Sequence, residues 1–204
     1  MRISIEGNIG SGKSTCLAAL AAAFPEVACF PEPVDEWAEL LDLFYRHPAE
    51  WALPFNLKVL LSFRAPAAHA TCLVERSPLS CRHVFSQLMY NEGTMNCQEW
   101  ELFKEYHGVL GWEPDVIFFV HTPAAECLRR IGTRGRECEQ GIDAAYLERL
   151  EFQYANMLRF ANVPVVRFDG MLPPAELHAA VIKAASERLG RPPAPAPSSA
   201  SRAC

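Results

Sequence analysis

The sequence predicts an α/β protein in which a five-stranded parallel sheet is flanked by helices on both faces. Short apolar or β-branched runs of strand length alternate with helical patterns along the chain, and this alternation is typical of parallel sheets. A glycine-rich stretch at residues 7–14 separates the first strand pattern from the first helical pattern, as at the ligand-binding turns of such folds. With 204 residues, of which 50% are hydrophobic, the chain is long enough to form one domain with a sizeable core.

Five segments are predicted to be strands, and helices are predicted between them. The fourth segment is the most continuous apolar run, which is typical of a central parallel strand. The predicted strands are residues 2–5, 27–30, 70–74, 115–120 and 164–168. The predicted helices are residues 16–23, 35–45, 49–70, 78–90, 98–108, 124–131, 144–161 and 174–189. We expect residues 1–189 to form one domain and the Pro-, Ala- and Ser-rich residues 190–204 to be a disordered tail, because the tail has too little apolar surface to bury.

The glycine-rich stretch follows the pattern G-x-x-x-x-G-K-S of a phosphate-binding P-loop. It consists of Gly7, Asn8, Ile9, Gly10, Ser11, Gly12, Lys13 and Ser14, and Thr15 follows it. At the start of a helix, free backbone N–H groups and the helix dipole attract an anion. In this motif Lys13 is expected to contact the β- and γ-phosphates of ATP, and the Ser14 hydroxyl to ligate Mg²⁺. The alternative is a glycine-rich turn that contains Lys-Ser by chance, which would not require the flanking strand and helix.

The composition argues against several other classes of protein. A net charge of −5 argues against a nucleic-acid polymer as the partner, since proteins that bind one usually have a basic face. No apolar run reaches the length of about 18 residues that a membrane-spanning helix needs, and no signal peptide is expected ahead of the first strand. The eight cysteines are scattered without a C-x-x-C pair, so we expect free thiols and no zinc site. These features predict a cytoplasmic protein, in the host cytoplasm if a virus encodes it.

Charged residues directly follow the second and third predicted strands. Glu32 stands between two prolines, which force an extended backbone, and Glu75 and Arg76 follow the third strand. Ligands bind at the carboxyl edge of a parallel sheet, where the P-loop also lies. We therefore expect Glu32 to act as a base toward an acceptor hydroxyl, and Arg76 to neutralise phosphate charge. Glu75 could hold Mg²⁺ together with Ser14. The alternatives are a solvated turn residue for Glu32 and a local ion pair for Glu75 and Arg76.

Four arginines lie within eight residues, beside a polar stretch with two glycines. They are Arg129, Arg130, Arg134 and Arg136, and the polar stretch covers residues 133–141. Such a density of like charge is tolerated on a solvated face, which is the simpler interpretation. Opposite a P-loop it indicates an arginine-rich lid that closes on phosphates, so we expect residues 133–141 to form a mobile flap.

Four motifs, in order along the chain, resemble those of the deoxynucleoside kinases. They are the P-loop, Pro31-Glu32-Pro33-Val34, Glu75-Arg76-Ser77, and residues 134–142 together with Tyr146-Leu147-Glu148. The resemblance extends over residues 2–189. It implies a P-loop kinase fold, a homodimer, and Mg²⁺-dependent transfer of the ATP γ-phosphate to the 5′-hydroxyl of a deoxynucleoside.

The same resemblance assigns roles to individual residues. Glu32 is then the base for the 5′-hydroxyl, and Arg76 pairs with it and stabilises the phosphoryl group in transfer. The lid residues are Arg130, Arg134 and Arg136, those at the sugar 3′-hydroxyl are Tyr45 and Glu139, and those around the base are Trp37, Phe55 and Phe85.

Four positions depart from the family pattern. Asn56 stands where the family reads the base edge with a Gln, and because it is one methylene shorter it would need a shifted base or a bridging water. Phe63 and Cys81 stand where deoxycytidine-preferring members carry Arg and Asp, whereas thymidine-accepting members carry uncharged residues. We therefore expect thymidine to be the best acceptor, with deoxycytidine as a second one. Cys138 replaces a frequent Glu, and nothing in the sequence indicates the effect.

Three alternatives remain open at this point. A nucleoside-monophosphate kinase shares the fold and an arginine-rich lid, but it must bind an acceptor phosphate and has little use for a carboxylate base. A GTPase would need a guanine-reading N-K-x-D segment, which the sequence lacks. A non-catalytic nucleotide-binding module is the third, although the residues needed for catalysis are all present. The kinase interpretation requires that Glu32 and Lys13 face the same space.

Overall fold

The fold is built on five strands, all of them parallel to their neighbours. In the computed structural model, which describes residues 1–136, 139 and 141–194, the strands are β1 (Arg2–Glu6), β2 (Ala28–Phe30), β3 (Cys72–Glu75), β4 (Val116–His121) and β5 (Val165–Asp169). Their order in the sheet is β2-β3-β1-β4-β5. The five-stranded parallel sheet predicted from the sequence is therefore confirmed, with small shifts of the strand ends. Of the predicted tail, residues 195–204 lie outside the described part of the chain.

The helices follow the predicted order, with two differences. Within the described residues they are α1 (Lys13–Ala23), α2 (Ala38–Arg46), α3 (Pro48–Ser62), α4 (Arg64–Ala67), α5 (Pro78–Ser80), α6 (Gln87–Asn91), α7 (Cys97–Leu110), α8 (Ala124–Arg134), α9 (Ala144–Arg159) and α10 (Pro174–Leu189). The helical pattern at residues 49–70 is expected to be interrupted at Pro54 and at Pro66. In the structure α3 continues through Pro54, whereas Pro66 lies in a second helix, α4, and has no N–H to donate to the carbonyl of Ser62. The helix predicted at residues 78–90 contains a π-helical turn, Cys81–Ser86, between α5 and α6. None of these helices is both long and apolar enough to cross a membrane.

Side chains of β4 alternate between two apolar cores, one on each face of the sheet. Phe118 and Val120 pack against α1 and α10, whereas Ile117 and Phe119 pack against α8 and α9. Other buried members of the first core are Ile3, Ile5, Leu17, Leu20, Leu177 and Val181, and those of the second are Cys127, Ile131, Leu147, Leu150 and Tyr154. The prediction that helices cover both faces of the sheet is confirmed.

The strand register determines which residues leave the sheet at the same edge. Ile5 of β1 lies opposite Glu75 of β3, and Phe30 of β2 lies opposite Val74. The Arg76 N–H also donates to the Ile5 carbonyl oxygen at 3.0 Å, which extends the pairing one residue beyond β3. Strand pairing therefore brings the P-loop, which follows β1, next to the charged segments that follow β2 and β3.

The P-loop packs closely on the rest of the protein at two glycines. Gly10 has a φ of +78°, and a Cβ atom built on it would lie 2.7 Å from the carbonyl oxygen of Cys127 in α8. Gly7 has a φ of +148°, and its Cβ would lie 2.5 Å from the carbonyl oxygen of Val120 in β4. Because a positive φ and a backbone contact coincide, a side chain at either position requires the loop to move.

We expect Gly10→Ala to destabilise the fold by about 1–3 kcal/mol, because it combines a left-handed backbone with a contact on the α8 main chain. Gly108→Ala is the matched control, since Gly108 lies within α7 and no atom is within 4 Å of its built Cβ. That control should gain up to about 1 kcal/mol from the better helix propensity of alanine. Urea unfolding measures both changes, and equal stability of the two variants would contradict the close packing of the P-loop on α8.

Candidate active site

A cavity of about 300 Å³ opens at the carboxyl edge of the sheet, between the P-loop, the ends of β2 and β3, and α2, α3 and α8. Most residues that the sequence singles out lie on its wall. They are Ile9, Gly10, Gly12, Lys13, Ser14, Thr15, Glu32, Trp37, Tyr45, Phe55, Asn56, Phe63, Glu75, Arg76, Cys81, Phe85, Arg130, Arg134, Arg136 and Glu139. The structure therefore brings the proposed phosphate residues and the proposed nucleoside residues to one space.

Three residues of the P-loop are not on the cavity wall. Gly7 and the side chains of Asn8 and Ser11 are buried beneath the loop. Asn8 Nδ2 donates to the Leu147 carbonyl oxygen of α9 at 2.8 Å, and the Ser11 carbonyl oxygen accepts from the Thr122 hydroxyl at 3.1 Å. These contacts fix the loop on its neighbours, and phosphate contacts of these residues stay a prediction.

Lys13 is buried at the start of α1 and holds its ammonium group at the P-loop. Its Nζ donates to the carbonyl oxygen of Asn8 at 2.7 Å. Burial, together with the nearby Arg76 cation, lowers the pKa of Lys13 to about 8, against the opposing effect of the surrounding carboxylates. Burial removes the water that would stabilise the Lys13 ammonium group. A phosphate beside Lys13 would favour the charged form of this lysine, because its negative charge attracts the ammonium.

Arg76 is held by partners that come from four different segments of the chain. Its Nε donates to Glu32 Oε1 at 2.9 Å, and its Nη1 donates to the Gly7 carbonyl oxygen at 3.2 Å and to the Tyr154 hydroxyl. The guanidinium carbon lies 4.6 Å from the centre of the Phe85 ring. Only 7% of the Arg76 side chain and 21% of the Glu32 side chain are exposed, so this ion pair is largely screened from water.

The backbone at Arg76 adopts the left-handed conformation, with a φ of 64°, and it is the only residue other than glycine that does so in the described part of the chain. A non-glycine residue in this region costs about 1–3 kcal/mol and is held there by its surroundings. Such residues are frequent at functional sites. The strained backbone turns the chain from β3 directly into α5, with the Arg76 side chain beside Glu32.

Two oxygen-bearing side chains lie next to each other beside Lys13. The Ser14 hydroxyl donates to Glu75 Oε1 at 2.9 Å, and both residues are on the cavity wall. A hydroxyl and a carboxylate are hard oxygen donors of the kind that Mg²⁺ prefers, so the two residues fit this ion by their chemistry.

Aromatic rings form the opposite half of the cavity. Phe44 stacks on Phe55 with ring centres 5.4 Å apart, and Trp37 meets Phe55 edge-on at 6.3 Å. The family resemblance predicts Phe55 and Trp37 on this wall but not Phe44, although Phe44 shares the helical spacing of the apolar face of α2. Val34, Ile142 and Tyr146 belong to the motifs that resemble the family but have no predicted role on the wall. Wall residues that the sequence does not single out are Leu41, Val59 and Met89.

The Asn56 amide is bound to the protein at both ends. Its Nδ2 donates to the Ala52 carbonyl oxygen at 2.8 Å and lies 2.9 Å from the Met89 sulfur, and its Oδ1 accepts from the Ser86 hydroxyl at 2.8 Å. Because a carbonyl oxygen can only accept, the Ala52 contact identifies which end of the amide is the NH₂ group. The amide orientation is therefore fixed before any ligand is considered.

The arginine cluster divides into residues that reach the cavity and one that does not. Arg129 pairs with Glu126 on the exposed side of α8, whereas Arg130 donates to Glu126 at 2.7 Å and to the Gly170 carbonyl oxygen at 2.8 Å. The helix continues to Arg134, three residues beyond its predicted end, so Thr133 and Arg134, which the prediction places in the flap, are helical.

Glu139 carries the ion pairs of the outer arginines. Arg134 binds it with two hydrogen bonds of 3.1 and 2.5 Å, and Arg136 Nη1 lies 3.8 Å from it. Cys138, the fourth departure from the family pattern, lies outside the described residues, as do residues 137 and 140. Mobility of the segment stays a prediction.

Comparison with known proteins agrees with this geometry. A family model described as deoxynucleoside kinase matches residues 3–181. Deoxycytidine kinase 2 of Gallus gallus is 31% identical over 194 residues, covering 77% of this chain and 73% of the relative. Human deoxycytidine kinase is 30% identical, covering 77% of this chain and 75% of the relative. A protein named as a kinase, 029R of Invertebrate iridescent virus 3, is 33% identical over 170 residues, covering 80% of this chain and 86% of the relative.

A match across most of the chain, a P-loop at the head of α1 and a carboxylate–arginine pair on the same cavity all lead to one conclusion. The chain belongs to the deoxynucleoside kinase family.

Proposed function

We propose that this protein transfers the γ-phosphoryl group of ATP to the 5′-hydroxyl of a deoxynucleoside, with thymidine as the best acceptor and deoxycytidine as a second one. Membership in the family supports phosphorylation of a nucleoside. The observation that carries the rest is that Glu32, which is bound to Arg76, and the P-loop residue Lys13 line the same cavity.

In this proposal Glu32 accepts the proton of the 5′-hydroxyl while the new O5′–P bond forms. The bond between the γ-phosphorus and the bridging oxygen breaks, and ADP leaves with the electron pair. Arg76 holds the Glu32 carboxylate through Nε, and the guanidinium places positive charge next to the phosphoryl group in transfer. Lys13 stabilises the β- and γ-phosphates. The residues proposed to close over the phosphates are Arg130, Arg134 and Arg136.

Ser14 and Glu75 are the residues proposed to hold Mg²⁺. Their oxygens are already within hydrogen-bond distance of each other on the cavity wall. When bound, Mg²⁺ would neutralise charge on the phosphates of ATP.

The aromatic half of the cavity is proposed to hold the nucleoside. Flat walls such as Phe55 and Phe85 suit stacking on a base, and Tyr45 and Glu139 are proposed to bind the sugar 3′-hydroxyl. Glu139 is bound by Arg134 in this structure, so a sugar hydroxyl would share the carboxylate with the lid.

Asn56 can form hydrogen bonds to a base only through amide groups that its protein partners leave free or can release. The Met89 sulfur is a weak acceptor, so a carbonyl oxygen or ring nitrogen of a base can replace it as the acceptor of that N–H at little cost. The Ser86 hydroxyl has one proton and two acceptors within 2.8 Å, Asn56 Oδ1 and the Cys81 carbonyl oxygen. When a base N–H donates to Oδ1, Ser86 can therefore donate to Cys81 instead.

Two observations bear on the preferred base, and they point in different directions. Relatives named as deoxycytidine kinases favour deoxycytidine. The cavity wall favours thymidine, because Phe63 and Cys81 place no charged pair beside the base. Burial raises the pKa of Cys81 to about 12, so its thiol is neutral at physiological pH. An uncharged wall tolerates the 5-methyl group of thymine, which an Arg–Asp pair would crowd.

We further propose that the protein is a homodimer that works in the cytoplasm, or in the host cytoplasm if a virus encodes it. Leu102, Tyr106 and Val109 follow helical spacing on one face of α7 and are 41%, 46% and 83% exposed. An apolar stripe of this kind is typical of a face that packs on a protein partner, and a second copy is the proposed partner.

We expect Glu32→Gln to lower kcat by about 10²–10⁴-fold with thymidine and ATP, because the general base is lost. The Gln oxygen can still accept from Arg76, so the buried guanidinium keeps a partner and the fold is retained. Glu36→Gln is the matched control, since Glu36 lies on the same segment with 66% of its side chain exposed, and its kcat should stay near that of the wild type.

Steady-state kinetics of the two variants decide between the alternatives. Unchanged turnover in Glu32→Gln would overturn the base assignment. Absence of turnover in the wild type would favour a binding module, and a preference for thymidylate over thymidine as acceptor would favour a nucleoside-monophosphate kinase.

We expect kcat/KM of the wild type to rank thymidine above deoxycytidine and both above purine deoxynucleosides. Combining Phe63→Arg with Cys81→Asp introduces the charged pair, and it should shift the ratio toward deoxycytidine by about 10-fold or more. Cys81→Ser keeps the position neutral and should leave the ratio near its original value. Thermal unfolding checks that each variant is folded. A wild type that prefers purines, or an unchanged ratio in the folded double variant, would contradict this assignment of the wall.

We expect the wild type to sediment as a dimer at micromolar concentration and Val109→Glu to sediment as a monomer, because a charge in an apolar interface is costly. Analytical ultracentrifugation measures both. A wild-type monomer, or a dimer unaffected by the substitution, would show that this face of α7 is not the interface.

A further inference from the structure

A buried carboxyl group at the end of β1 has no role in the chemistry described above. Glu6 is the last residue of this strand and is 0% exposed. Its Oε1 accepts from the Ser77 hydroxyl at 2.6 Å and lies 3.1 Å from the Ser80 hydroxyl. Its Oε2 has no hydrogen-bond partner among the described residues. An ionisable group in this position needs a physical reason, because an apolar side chain would fill the same space at lower cost.

The two serines that contact Glu6 form the turn that follows Arg76. Ser77 begins α5, and its backbone N–H donates to the Ser80 hydroxyl at 3.3 Å. The Ser80 hydroxyl also lies 3.1 Å from the Ser77 carbonyl oxygen. Glu6 therefore binds this small closed turn through the Ser77 hydroxyl, and it shares the single proton of the Ser80 hydroxyl with the Ser77 carbonyl oxygen. The turn is joined directly to Arg76 by a peptide bond.

Neighbouring residues of β1 hold the chain on both sides of Arg76. On one side, the Ile5 carbonyl oxygen accepts from the Arg76 N–H at 3.0 Å. On the other, Glu6 binds Ser77 and Ser80. Between these two attachments the backbone has its left-handed conformation, which requires support from its surroundings. Neither Ile5 nor Glu6 alone fixes both sides of that residue.

We propose that Glu6 is a positioning residue that keeps the Arg76 backbone left-handed, and thereby aims its guanidinium at Glu32, by binding Ser77 and Ser80. The inference rests on the proposed function only in so far as Arg76 takes part in catalysis. Glu6 itself is separated from the cavity and is not one of its wall residues.

The electrostatic surroundings are consistent with this role. Burial raises the pKa of Glu6 to about 7, while the hydrogen bond from Ser77 and the nearby cations of Arg76 and Lys13 oppose that change. Either protonation state leaves Oε1 able to accept from Ser77, since a neutral carboxyl group keeps a carbonyl oxygen. The attachment therefore depends on an acceptor at this position rather than on a charge.

The test compares Glu6→Ala, which removes the acceptor, with Glu6→Gln, which keeps it. We expect Glu6→Ala to lower kcat by about 10–100-fold because the guanidinium is misplaced. KM for both substrates should change by less than about threefold, since the substrate-binding residues keep their positions. Glu6→Gln should recover kcat to near the wild-type value. Ser4→Ala is the matched control, because Ser4 is also fully buried on β1 but its hydroxyl has no hydrogen-bond partner among the described residues, and its kcat should be unchanged.

A second measurement follows Arg76 without relying on activity. In a ¹H–¹⁵N spectrum, the Nε–H signal of Arg76 reports its hydrogen bond to Glu32, and it is assigned by its loss in Arg76→Lys. We expect this signal to move toward the position of exposed arginines in Glu6→Ala and to stay in place in Glu6→Gln. If the wild type has no kinase activity but the signal still moves, the proposed function fails while the positioning role stands.

Several outcomes would overturn the positioning role. These are an unchanged kcat in Glu6→Ala, an equal loss in Glu6→Gln, a rise in KM that matches the fall in kcat, or an Arg76 signal that does not move. If Glu6→Ala does not fold, Ser77→Ala removes the same contact while leaving the carboxyl group in place, and it is expected to show the same loss of kcat and the same spectral shift. Wild-type behaviour of Ser77→Ala would then refute the proposal.

Discussion

Burial of one cation, Arg76, ties together the parts of the molecule that form the site. A guanidinium that is almost fully removed from water needs partners in fixed positions, and removing one partner of a buried pair costs about 3–5 kcal/mol. The partners here are Glu32 after β2, the Gly7 carbonyl oxygen after β1, Tyr154 in α9 and the Phe85 ring in the π-helical turn. If one of these segments moved alone, the Arg76 guanidinium would either become exposed to water or lose a partner while still buried. The position of Arg76 beside Glu32 and the packing of the sheet edge therefore depend on each other.

Short-range patterns are enough to predict the sheet, and they also single out residues that the structure brings to one cavity. Apolar runs identify the strands, the P-loop motif identifies the first turn, and two prolines identify Glu32 as a residue held at a strand end. Parallel pairing then brings these segments to one edge. By contrast, the Tyr154 hydroxyl reaches Arg76 from 78 residues away, and Tyr154 lies within a helix whose apolar spacing indicates only core packing. Such a contact depends on how α9 docks, which no local pattern encodes.

The same limit applies to the base end of the cavity. The family resemblance predicts that Asn56 contacts the base, but its protein partners depend on tertiary contacts with Ser86 and Met89, which come from the π-helical turn and α6. The amide has four hydrogen-bonding positions, two N–H groups and two lone pairs on Oδ1, and three of them already have protein partners. A filled position must be released before a base can use it. Residue identity alone therefore predicts that an amide is present but not what it offers to a ligand.

Under the proposed function, charge balance links the arginines proposed to close over the phosphates to the residues proposed to bind the sugar. Glu139 is only 10% exposed and accepts two hydrogen bonds from Arg134. A triphosphate that attracts Arg134 and Arg136 must compete with this carboxylate for them, whereas a sugar hydroxyl that donates to Glu139 weakens its hold on the arginines. Under the proposed function, binding of the acceptor therefore makes the lid arginines more available to the phosphates of ATP.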